Sequence, residues 1–278
     1  MSSKRALIWV VFWVTTAIGF SFLIFHVYGR QRQIEFLTCY AVEWSLSLDN
    51  LFVFLMIFEA FAVDAHKQLR ALRWGIIGAM VMRMGFILLG VTLVGMFEPI
   101  LYVFGALLIY SAYKMAFSEE KQKDIQNNKL IVLVRKRFRV TKHYVGDKFF
   151  VRRQGMLFAT PMLLVLVAIE SSDVMFAIDS IPAAFAITRE PMIIYAANIF
   201  AILGLRSLYF LLAHADRMFR FLKYGVAVVL AFVGLKMLTA HYLHVNQYVS
   251  LGVILLCLFG SVVVSLVVKN STETTDAD

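Results

Sequence analysis

Eight stretches of about twenty apolar residues recur along the chain, at 6–27, 34–60, 71–95, 99–117, 156–186, 193–213, 220–240 and 247–268. About 20 such residues span the roughly 30 Å of bilayer hydrocarbon as a helix. Backbone groups left unpaired in lipid are costly, so runs of this length must close their hydrogen bonds internally, as helices rather than open strands. The expected fold class is therefore all-α: a polytopic membrane protein with about eight transmembrane helices. Composition agrees, since 61% hydrophobic residues and a mean hydropathy of +0.78 exceed the roughly 45–50% apolar content that a soluble domain can hide. The first stretch follows Lys4 and Arg5, but it outruns the about 7–15 residues of a signal-peptide core, and no small-x-small cleavage site follows it. It is read as a retained helix.

The net charge of +9 does not mark a nucleic-acid binder, because of where the bases fall. With the amino terminus in the cytoplasm, alternate loops collect 20 of the 27 Lys and Arg residues: Lys4, Arg5, Lys67, Arg70, Arg73, eleven in 118–155, Arg217, Arg220, Lys223 and Lys269. The opposite side holds Arg30, Arg32 and Arg189. The positive-inside rule then places both termini in the cytoplasm. Two cysteines, Cys39 and Cys257, both within spans, suggest neither a disulfide framework nor a thiolate metal site.

An internal duplication organises the spans. Residues 42–61 laid over 166–185 match Ser47 with Ser171, Asp49 with Asp173, Phe52 with Phe176, Ile57 with Ile181, Ala60 with Ala184 and Phe61 with Phe185. A one-residue shift sets Arg83 against Arg206, and a second sets Lys114-Met115 against Lys236-Met237. Each copy has an odd number of helices, so the second enters from the opposite side; the repeats are inverted, as in transporters whose sites form near the midplane. The resulting organisation is an N-terminal helix and external loop (1–33), a first three-helix repeat (34–117), a basic cytoplasmic linker (118–155), a second repeat (156–240), and a C-terminal helix and tail (241–278). In the linker, LIVLVRKRF and KFFVRR are compatible with an interfacial helix, a small hairpin or both; its charge serves topology or recognition of anionic lipid.

The chemistry lies in acids placed inside spans. An Asp or Glu at mid-membrane costs about 2.5–3.5 kcal/mol on insertion scales, yet Glu43, Asp49, Glu170, Asp173 and Asp179 occupy two helices. Arg83 and Arg206 are the expected charge partners; a divalent cation would offset the excess. Carboxylates, the Asn50 amide and backbone carbonyls are hard oxygen donors suited to magnesium, calcium or manganese, and neither acid-bearing helix contains histidine. The competing reading is structural: acids paired with Arg83, Arg206 and Lys236 to register helices. Glu170 and Asp173 share a helix face, whereas Glu43 and Asp49, six apart, point about 120° away from each other, as do Asp173 and Asp179. A kink at Pro182, with an equivalent interruption at Asp49-Asn50, would help them converge. Ser47, Ser171 and Ser172 read as hydroxyls bonded back to their own helix.

At these residues the chain resembles the TerC family of integral membrane proteins, which includes Alx-type manganese proteins and is grouped with the LysE transporter superfamily. The resemblance rests on EWSLSLDNLFVF at 43–54, IESSDVMFAIDSIPAAFAIT at 169–188 and RFRVTKHYVGDKFFVRR at 137–153, and it covers nearly the whole chain. It implies a bacterial inner-membrane protein linked to manganese export or to metal supply for secreted enzymes. Its acidic motif positions fall on Glu43, Asp49, Asn50, Glu170, Asp173 and Asp179. The family's historical link to tellurite reads as indirect, because an oxyanion would be repelled by carboxylates. The expected function is manganese export through these carboxylates, with protons as counter-ion, since a carboxyl stripped of water binds a proton more readily. Calcium or another divalent cation is the alternative cargo, and a scaffold or assembly factor the alternative role. No enzyme activity and no prosthetic group are expected. Expected partners are the cation, membrane lipids, a second copy of the chain or secretion-linked proteins, and no nucleic acid.

Overall fold

The computed structural model describes residues 3–117, 129–153, 155–212, 222–240, 242–243 and 245–275; within these, the side chains of Ser3, Leu48, Asp49, Lys129, Arg206, 210–212, Leu222 and 266–275 fall outside the description. The helices are α1 (Ser3–Tyr28), α2 (Arg30–Ala60), α3 (Ala65–Met96), α4 (Ile100–Phe117), α5 (Lys129–Arg137), α6 (Pro161–Phe185), α7 (Pro191–Leu212), α8 (Leu222–Leu238) and α9 (Gln247–Thr275). Three short strands, β1 (Arg139–Val140), β2 (Phe150–Arg153) and β3 (Met156–Ala159), lie between α5 and α6.

Among the described residues, seven helices are long and apolar enough to cross a membrane: α1, α2, α3, α4, α6, α7 and α9. The eighth apolar stretch gives α8, described over 17 residues, about 26 Å of helix; the residues just before it lie outside the described ones. Leu7, Ile8, Phe12, Val81, Leu88, Leu256 and Phe259 are exposed, as a lipid-facing surface requires. Proline opens α6 and α7, at Pro161 and Pro191, where its missing N–H is an orphan in any case and its fixed φ suits the first turn. Gly29, with φ of 84°, separates α1 from α2, a left-handed turn that residues with a Cβ resist.

Two details depart from the sequence reading, and a third resolves an alternative it left open. Met156–Ala159 is a strand, and helix begins only at Pro161: β3 pairs antiparallel with β2 and parallel with β1, so its apolar run is used by a sheet. The linker takes both of its open alternatives, helix α5 and a small sheet. Helix α2 runs unbroken through Asp49-Asn50 and α6 through Pro182; the donor that Pro182 lacks leaves one gap in a ladder resumed by Ala186 N–H to Pro182 O at 3.1 Å.

The chain forms two compact units. One comprises Met1–Asp49, Arg83–Ser118 and Ala177–Asp278. In it α1 packs on α7, α4 on α8, and α8 on α9. The α4–α8 seam is set by glycines: a Cβ on Gly234 would stand 3.0 Å from Gly105 O and from Leu108 Cβ, and one on Gly105 2.9 Å from Leu238 Cγ. The pairs Gly105 with Leu238 and Ile109 with Gly234 run in opposite chain senses, so α4 and α8 are antiparallel. Small residues of this kind let membrane helices approach closely.

The other unit comprises Asn50–Met82 and Glu119–Phe176. Here the linker sheet is fastened to the start of α3. Tyr144 donates its hydroxyl to Phe61 O at 2.8 Å, Asp147 pairs with Arg70 at 3.5 Å, and Phe149 meets Trp74 edge to face at 6.1 Å. Burial and the charge of Asp64 push the Tyr144 phenol up to about 12, so it remains a donor at any physiological pH.

Candidate functional site

In the larger unit two acids have found partners. Arg83 on α3 is 1% exposed, and its Nη1 donates to Glu43 Oε2 at 2.8 Å and to Ser180 Oγ at 3.3 Å. A buried guanidinium and carboxylate at this spacing attract strongly, but each has lost its water. The second oxygen, Glu43 Oε1, is buried without a hydrogen-bond partner, as is Ser45 Oγ two residues along. Asp179 on α6 accepts a hydrogen bond from Ser111 Oγ at 2.5 Å, with the charge of Lys114 nearby. Ser111 and Lys114 lie three apart on α4, so one face of that helix supplies both groups. The sequence reading did not single out Ser111.

In the smaller unit Asn50 is buried on α2, and Asp173 is buried on α6 one turn beyond Glu170. The two carboxylates are close enough for their charges to interact. Glu170 lies against α3 where Gly78 leaves room: a Cβ there would overlap the carboxylate, with Oε2 at 2.6 Å. Glu170 Oε2 has no hydrogen-bond partner, and Gly75, one turn earlier, makes the same allowance for Ile169. A Gly78→Ala variant should therefore displace the Glu170 carboxylate, whereas Gly85→Ala, with nothing within 4 Å of the added atom, should not. On the reading that Glu170 is a cation ligand, metal affinity measured by isothermal titration on both purified variants checks this, and a fall of about 10–100-fold is expected for Gly78→Ala alone.

Ser171 and Ser172 both donate to Ala168 O at 2.9 Å, as back-bonded helix hydroxyls do. Lys236 donates to Ser250 Oγ at 2.9 Å. The side chains of Asp49 and Arg206 lie outside the described ones. Among the described residues, no group of three or more His, Cys, Asp and Glu side chains is gathered as a metal cage, and Cys39 and Cys257 are free thiols.

A polar cluster that the sequence reading missed is centred on Glu35, 2% exposed. Its Oε2 accepts from Arg32 Nη1 at 2.6 Å and Thr188 Oγ1 at 2.7 Å, and its Oε1 from Gln247 Nε2 at 3.0 Å. Arg32 also reaches Glu190 at 2.6 Å. One carboxylate thus ties the start of α2 to the α6–α7 loop and to α9. The one local signal was Arg32 three residues before Glu35, a spacing that brings opposite charges together on a helix.

Comparison with known proteins gives the chain relatives. The family model described as the integral membrane protein TerC family matches residues 28–273. An Escherichia coli (strain K12) protein named "Putative membrane-bound redox modulator Alx" is 43% identical over 277 residues, covering 97% of this chain and 85% of that one. The protein of the same name from Salmonella typhi matches with the same figures. "Uncharacterized membrane protein STKORF319" of Myxococcus xanthus is 41% identical over 275 residues, covering 99% of this chain and 86% of its own. No solved structure matches.

Proposed function

The chain belongs to the TerC family of integral membrane proteins, and on that premise we propose that it is a divalent-cation transporter that exports manganese across the bacterial inner membrane. The observation that carries the reading is the pair of carboxylate oxygens, Glu43 Oε1 and Glu170 Oε2, buried without hydrogen-bond partners. An unpaired buried acceptor costs about 1–3 kcal/mol and more when charged, and it persists where a ligand, ion or water takes the empty place. An ionised carboxylate inside a membrane calls for a cation or a proton. The candidate donors Glu43, Asp49, Asn50, Glu170, Asp173 and Asp179, taken one by one, are all hard oxygen, which suits manganese or calcium above zinc or copper; the family resemblance favours manganese. Arg83 and Arg206 act as charge partners. Both termini lie in the cytoplasm, following the asymmetry of the loop bases, and protons moving inward serve as counter-ion.

The redox label on the relatives leads to no thiol mechanism in this chain. Cys39 is buried on α2, Cys257 sits in α9, and they are not bonded to each other. Exchange chemistry needs an accessible thiolate. A transported metal that is itself redox-active accounts for such a label without protein thiols.

The test is flux into proteoliposomes holding the purified chain, with manganese and calcium in parallel and with or without an imposed pH gradient. Manganese uptake that rises with the gradient is the expected outcome. Equal calcium flux would transfer the reading to calcium; flux indifferent to the gradient would remove proton coupling. No flux of either ion through folded protein would sink the transporter and leave the scaffold role.

A further inference from the structure

Residues 129–159 carry nine bases and a single acid, Asp147, and Asp147 is taken by Arg70 outside the segment. The segment's positive charge is therefore uncompensated from within. It is also unusual for a charged segment in displaying large apolar side chains: Leu130, Leu133, Phe150, Met156 and Leu157 are all exposed. Leu130, Leu133 and Arg137 fall at i, i+3 and i+7 of α5, one face of the helix. In the sheet, strand register pairs Arg152 with Leu157, so Phe150, Arg152 and Leu157 share one face. Arg139 lies across the other and reaches Met156 Sδ at 3.2 Å. Each element thus repeats one pattern, an exposed apolar side chain beside an exposed guanidinium.

The sheet's depth is fixed by its fastening to α3. Trp74, exposed and ten residues into that helix, is the side chain that Phe149 meets. Tryptophan on a spanning helix gathers at headgroup level, so β2 starts from that level. Hydrophobic side chains ringed by bases at the interface are the recognised means of holding a protein surface on anionic lipid: the apolar groups enter the acyl boundary and the bases meet phosphate.

We propose that α5 and the three-stranded sheet form a docking surface for anionic phospholipid headgroups in the leaflet at which the linker emerges, with Leu130, Leu133, Phe150 and Leu157 inserted and Arg137 and Arg152, which share their faces, on the phosphates. The inference is independent of the transported ion. The surface holds the linker flat against the membrane.

Full-length protein with Cys39→Ala, Cys257→Ala and Leu133→Cys, labelled with an environment-sensitive fluorophore, is reconstituted into vesicles of brominated phosphatidylcholine alone or mixed with phosphatidylglycerol. Quenching should be at least about twofold stronger with phosphatidylglycerol, and changing Arg137 and Arg152 together to Gln should abolish the difference. Hydrogen exchange on the unsubstituted chain in the same lipids provides a second readout, with amide protection across 130–159 rising only when anionic lipid is present. Equal quenching and equal protection in both lipids would overturn the proposal. So would a water-exposed probe in both, which would assign the surface to a soluble partner.

Discussion

If the proposed transporter reading holds, manganese flux through reconstituted protein will fall by at least about 100-fold when Glu170 and Asp173 are changed together to Gln and Asn, while the protein remains folded. Losing one supporting partner of a metal ligand costs roughly 10–100-fold, and on the transporter reading this pair removes ligands themselves. The two acids are one turn apart on α6, and Glu170 has a buried oxygen without a partner. Replacing them removes two negative charges from inside a spanning helix, where each is expensive, so stability should hold or rise. That opposition separates function from structure. A group kept for packing loses stability when neutralised; a group kept for a cation loses flux and gains stability. Tracer flux and thermal unfolding of the same preparation in detergent read both quantities. Flux within twofold of wild type, with manganese affinity unchanged, would show that the ion does not use these acids.

The membrane class was legible because lipid leaves so few choices. A run such as 71–95 must be helix wherever its neighbours lie, and the structure gives helix there within α3. The linker sheet was less legible because its strands are only two to four residues long, too short for alternation to show against the apolar span that follows. Pro161 held the missing signal: a helix tolerates proline in its first turn, so the preceding MLFA had to belong elsewhere. The acids were visible one by one, as charges where charge is costly. Their partners were not, because Ser111 meets Asp179 through the packing of α4 and α6, which no local period encodes. Glu35 was hidden for a related reason. It stands near the start of a span, where an acid reads as solvated, and only the return of Thr188 and Gln247 encloses it.

Removing Arg83 alone should be among the most destabilising single changes in the protein. Its guanidinium and the Glu43 carboxylate are each 2% exposed and 2.8 Å apart. Truncating one member of a buried pair leaves the other charge uncompensated, at a cost of about 3–5 kcal/mol. Arg83→Leu should therefore unfold at markedly lower temperature than wild type. Pairing it with Glu43→Gln removes the stranded charge, and the double variant should recover to within about 1–2 kcal/mol of wild type, since an apolar or neutral substitute for a buried pair is often close to neutral. The difference between double and summed single variants is the coupling energy of the pair. Recovery of stability should not bring recovery of flux. Glu43 presents one oxygen to Arg83 and keeps the other buried and unpartnered, so on the transporter reading the same carboxylate serves helix registry through Oε2 and the cation through Oε1. A double variant that is both stable and fully active would assign Glu43 to registry alone and move the cation site onto the remaining acids.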